Sequence, residues 1–134
     1  MEPDGIITLS SPFDFPRTLE RVHEAIESQD DTVGFGQVDF RARALELGII
    51  QAPSTLILFG GPAPGAKAMA KAPTLGLDAF CQKFLVWEDD DGQVYLSFND
   101  LLALAERQDA KKSPALRVIN SRLKSVFGEA LQLD

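Results

Sequence analysis

The sequence predicts an α+β fold: one largely antiparallel sheet of about five strands with helices on one face. Three observations carry this. Short β-branched runs alternate with segments of helical periodicity. One hairpin signal, Asp91-Gly92 between two alternating apolar runs, joins neighbouring strands directly. The last third of the chain is helical in pattern, so strands and helices are partly segregated rather than strictly alternating. The 134 residues fit one domain, 1–134, long enough to bury a substantial core.

The elements follow in order. GIITLS, residues 5–10, reads as a first strand. SPFDFP makes a turn, and Pro16 suits a first helical position, where its missing N–H costs little. The next stretch, RTLERVHEAIESQ, places Leu19, Val22 and Ile26 on one apolar stripe. TVGFGQVDF, residues 32–40, is a second strand whose glycines allow a bulge or a close backbone approach. RARALELG is a short helix that Gly48 can terminate. STLILFG is apolar on both faces and fits a central strand covered on both sides.

Residues 61–80 are rich in Gly, Pro and Ala. PGAKAMAKA can form two helical turns, and PTLGLD should loop. In KFLVWEDDDGQVYLSFN, a two-residue turn at Asp91-Gly92 would put Leu85 and Trp87 on one face with Val94, Leu96 and Phe98. Val86, Glu88, Tyr95 and Ser97 would take the other. NDLLALAERQ starts at an Asn99 cap. The C-terminal helix, about 113–130, has Ser113 at the cap and Pro114 at its first position, with Leu116, Ile119, Leu123, Val126 and Phe127 as its buried stripe.

Composition excludes several functions. The net charge is −7, which opposes a nucleic-acid partner or an anionic membrane surface. No apolar run approaches the roughly 20 residues needed to span a bilayer. The N-terminus lacks a signal-peptide pattern, and the single cysteine, Cys81, permits no internal disulfide; a cytoplasmic location is the expectation.

The stretch STLILFGGPAPGAK tests for a phosphate loop. Gly60 and Gly65 have the right spacing, but Ala66 stands where lysine belongs and Ala68 supplies no hydroxyl for magnesium. Pro62 and Pro64 remove two N–H groups from a loop that works by offering them. A looser anion or small-ligand site at this turn stays open. Calcium fails at Glu88-Asp89-Asp90-Asp91-Gly92, because an EF-hand alignment on Gly92 puts Trp87 and Phe98 at ligand positions. His23, the only histidine, borders an apolar stripe, and neither a nucleophile–base pair nor a His/Cys metal set is recognisable. No cofactor or metal is implied. Cys81 and Lys83 would share one strand face.

From about Arg17 to Arg107 the chain resembles a bacterial and archaeal family known as domain of unknown function 302. The residues that carry the likeness are Thr18-Leu19, FGQVDF ending near Asp39, ALELGI, STLILFGGP, GAKAMAKAPTLGLD and the hairpin KFLVWEDDDGQVYLSFND. The resemblance implies a β-α-β4-α fold like that of the TATA-box-binding protein, without its DNA function, and no established activity. Gly61, Phe40 and Ala79-Phe80 depart from the family's usual Asn, His and Leu-Pro.

The leading expectation is a small-ligand or anion-binding module. A long Gly/Pro/Ala connection in a compact domain is usually functional or disordered. Its candidate lining is Asp39, Gly60, Gly61, Gly65, Asp78 and Lys83. The alternative is a protein-interaction or homodimerising domain without catalysis, with Phe13, Phe15, Phe80 or Tyr95 as exposed anchors.

Overall fold

The computed structural model describes residues 5–107 and 114–132. Five strands, β1 (Ile6–Ser11), β2 (Val33–Asp39), β3 (Ser54–Gly60), β4 (Gln82–Glu88) and β5 (Val94–Asn99), form one antiparallel sheet in the order β1-β5-β4-β3-β2. Helices α1 (Phe15–Glu27), α2 (Phe40–Glu46), α3 (Pro62–Lys71), α4 (Leu75–Asp78), α5 (Leu101–Arg107) and α6 (Pro114–Ala130) complete the chain. The α+β class holds, with the short helices α2, α3 and α4 set between the strands.

Strand alternation decides which side is core. Ile57 and Phe59 of β3, Phe84 and Val86 of β4, and Val94, Leu96 and Phe98 of β5 are buried on one face. Against them pack Val22 and Ile26 of α1, Leu101 of α5, and Leu116, Leu123 and Phe127 of α6. Phe84 is the hub, with ring centroids of Phe59 at 4.7 Å, Phe98 at 4.5 Å and Phe127 at 4.4 Å. The other face presents half-buried Leu56, Leu58, Leu85, Trp87 and Tyr95. β3 is therefore fully covered on one side only, and β4 is the middle strand.

The hairpin register differs from the expected one. Val86 faces Leu96 and Trp87 faces Tyr95, so Leu85 and Trp87 lie opposite the core face that Val94, Leu96 and Phe98 occupy. The cause is one residue of loop. Asp89 pairs with Gln93, and three residues, Asp90 to Gly92, make the turn with Gly92 at φ 83°. An odd loop length swaps the faces. The Asp89 carboxylate fixes this loop by accepting from the N–H groups of Asp91 at 3.0 Å and Gln93 at 2.9 Å. On the outer face Trp87 stacks on Tyr95 at 4.7 Å, and burial, then the nearby Asp89 charge, push the Tyr95 phenol above its ordinary pKa.

Caps place the helices. Asp14 accepts from Arg17 N at 2.9 Å to start α1. Asp39 does the same for α2 through Ala42 N, and Gly48 at φ 74° follows its end. Asp100, rather than Asn99, starts α5, because Asn99 still belongs to β5, facing Ile6. Buried Asn120 of α6 closes the same helix end, accepting from Leu101 N at 2.8 Å and donating to Asp100 at 3.1 Å. Residues 75–78, expected to loop, form α4 instead, docked by fully buried Leu75. The Ser113 cap lies outside the described residues.

Candidate functional site

The glycines of the 60–65 turn are packing devices. A Cβ on Gly61 would meet the Asp31 carbonyl oxygen and Pro64 at 3.2 Å, and one on Gly65 would meet the Phe80 ring at 3.2 Å. Their absence lets α3 leave the sheet sharply and lie against Phe80. β2 contributes a bulge, with Phe35 inserted between Gly34 and Gly36, and Gly36 at φ 140°. The bulge turns Phe35 towards Gly60, whose added Cβ would lie 3.5 Å from that ring.

These features border an open pocket of about 280 Å³ lined by Phe35, Gly60, Gly61, Pro62, Gly65, Met69, Phe80 and Cys81. Its wall is apolar, with two aromatic rings, a thioether and a half-buried thiol. The first turn of α3 offers few hydrogen-bond donors. Pro62 and Pro64 have none, and Gly65 N–H is engaged by Gly61 O at 3.0 Å.

Three of the six candidate residues, Gly60, Gly61 and Gly65, meet in this pocket. Lys83 sits two residues beyond Cys81 on β4 and donates from Nζ to the Cys81 carbonyl at 3.4 Å. Asp78 faces away, in an ion pair with Arg107 at 2.9 Å that ties α4 to α5. Asp39 is the α2 cap and pairs with Thr55 towards the other end of β3. Sequence reasoning missed Phe35, Pro62, Met69 and Phe80 as lining. The Gly-Phe-Gly of residues 34–36 was the available signal, since glycines flanking an aromatic residue mark a bulge that re-aims it.

Behind the pocket, Arg122 of α6 grips Asp31, with Nη1 at 2.7 Å from Oδ2. This hydrogen bond holds the Asp31 carboxyl at about 2 and raises the Arg122 pKa. A second pocket of about 300 Å³ lies between α1 and β2, lined in part by His23, Glu27, Thr32 and Gln37. His23 Nε2 is 3.0 Å from Gln37 Oε1, which engages the histidine in a structural contact. Among the described residues no group of three His, Cys, Asp or Glu side chains is placed to hold a metal.

The aromatic anchors expected for an interaction surface are not exposed. Phe80 is buried and Phe15 packs against the core. Phe13 lies under the Arg17 and Arg21 guanidinium groups, and Tyr95 under Trp87.

A family model described as "Domain of unknown function DUF302" matches residues 7–130. The chain belongs to the DUF302 family. The crystal structure of an uncharacterised conserved DUF302 protein from Bacillus stearothermophilus superposes with a TM-score of 0.77 at 16% identity, over 96% of this chain and 97% of that one, and so shares the fold. Among named relatives, "Fluoride-specific ion channel FluC 1" of Brucella suis biovar 1 (strain 1330) is 39% identical over 103 residues, 77% of this chain and 40% of the relative. The protein of the same name from Brucella abortus biovar 1 (strain 9-941) is also 39% identical, with 37% of its length covered. The chain thus spans about two fifths of these relatives, and none of its described helices is long and apolar enough to cross a membrane.

Proposed function

We propose that this DUF302 domain is a small-ligand-binding module whose ligand is a compact, mainly apolar molecule. The observation that carries the reading is the pocket of about 280 Å³ that draws Phe35, Gly60, Gly61, Gly65, Met69, Phe80 and Cys81 from β2, β3, α3 and the segment before β4. Apolar walls with a few polar groups at the rim are the usual make-up of small-molecule sites. The volume suits a molecule of on the order of ten non-hydrogen atoms, taking about 30 Å³ per water-sized unit. An anion alone is a poorer fit, because prolines remove the donors from the α3 turn; a carboxylate on the ligand would depend on Lys83.

The Brucella relatives suggest a setting. More than half of each lies outside the match, and we read the shared part as an accessory module to a channel portion. Fluoride permeation is not carried over to this chain.

The test is an amide-resolved NMR titration with indole as a neutral apolar probe and with sodium fluoride and phosphate in separate arms. Saturable shifts at Gly60, Gly61, Gly65 and Cys81 with indole are expected. A flat indole titration, or shifts centred elsewhere, overturns the assignment. A saturable response at Gly61 and Ala63 to fluoride or phosphate alone replaces it with an anion site.

A further inference from the structure

We propose that residues 33–50, the edge strand β2 with α2 and the segment after it, form a face on which a second copy of this chain docks about a two-fold axis. The face shares Phe35 with the pocket wall and otherwise stands apart from the ligand reading. Exposed large apolar side chains concentrate here: Val33, Phe35, Phe40, Leu45, Leu47, Ile49 and Ile50. Leu47 is 78% and Ile50 85% exposed. α2 buries no residue. Its sequence is apolar enough to need cover that its own fold does not supply.

Three arguments select a second copy as the occupant. The first is area: these seven side chains expose on the order of 700 Å², close to the roughly 800 Å² each partner gives to a stable complex. The second is charge. Residues 33–50 contain Asp39, Arg41, Arg43 and Glu46 and are net neutral, although the chain carries −7. A strongly basic partner would be drawn to the acidic remainder, and an acidic one finds no excess of cations here. Arg41 is exposed and makes no ion pair with any described residue, so an apposed net-neutral copy meets no excess of like charge here. The third is the edge itself. The bulge at residues 34–36 interrupts the first half of β2, but beyond it Gln37 and Val38 offer no Lys, Pro or charge against strand addition, and the strand's one charge, Asp39, stands at its end. A two-fold contact uses one such patch twice and leaves none open.

The experiment is sedimentation velocity of the whole chain across a concentration series. Wild type is expected to show a monomer–dimer equilibrium, and Leu47→Glu/Ile50→Glu to be monomeric at the same concentrations with an unchanged circular dichroism spectrum. Val118→Glu, a control on α6 where Val118 is 68% exposed, should remain dimeric. Amide hydrogen exchange across residues 33–39 of wild type should speed up on dilution, a readout that does not depend on any variant folding. A wild-type monomer at high micromolar concentration overturns the proposal. So does a dimer that survives the double substitution, or exchange at β2 that ignores dilution.

Discussion

Asp31 and Arg122, 91 residues apart, form a two-pronged ion pair that ties the loop after α1 to the face of α6. The Asp31 carbonyl also abuts Gly61, so the pair braces the turn on which the apolar pocket is built. The Arg122 hydrogen bond lowers the Asp31 pKa from 3.8 to about 2. A carboxyl depressed on folding contributes stability that is present above its unfolded pKa and lost as pH falls through its folded one. The melting-temperature gap between wild type and Asp31→Asn should therefore be constant above about pH 5 and shrink between about pH 4 and pH 2. A gap that does not depend on pH would assign the loss to something other than this charge.

Phe127→Ala should be among the most destabilising single changes. The ring is fully buried against Phe84 and Phe59. Its removal leaves a cavity beneath the sheet, and a loss of about 3–5 kcal/mol is expected in urea unfolding. Val118→Ala, on the exposed side of the same helix, should fall within about 0.5 kcal/mol of wild type.

Asp39 separates a structural from a binding role. As the α2 cap it should tolerate Asn, which keeps the acceptor, while Ala should cost about 0.5–2 kcal/mol. Neither variant should alter the indole titration. A change in binding with unchanged stability would return Asp39 to the site.

Cys81 offers a reporter of occupancy. Its thiol is half-buried in the pocket wall. Saturating indole should slow its reaction with an aromatic disulfide reagent several-fold, and Met69→Ala, which widens the pocket, should speed the unliganded reaction. Equal rates with and without indole would place the probe elsewhere.

The strands and long helices were readable from periodicity, because each is decided by its own residues and one buried face. The hairpin faces were not. Asp91-Gly92 reads as a two-residue turn, whereas Asp89 captures two backbone N–H groups and stretches the loop by one residue. That side-chain choice moves Leu85 and Trp87 to the face opposite Val94, Leu96 and Phe98. Gly60, Gly61 and Gly65 were legible as a special turn, since glycine and proline mark backbone geometry locally. Phe35, Met69 and Phe80 were not, because their meeting depends on a bulge and two helix placements that no local pattern encodes. Asp39 and Asp78 stand beside strand ends in sequence, but one caps a helix and the other tethers two.

The strand order has a consequence for synthesis. β1 bonds only to β5, so Ile6 cannot meet its partner Asn99 until every strand between them has been made. On a ribosome β3 and β4 can pair early, while the first strand waits with both edges bare and α1 lacks part of its floor. Closing that long interval is an entropic cost that nearby pairings do not bear. The N-terminal strand should be the last to dock and the segment most exposed to proteases or chaperones in a nascent chain.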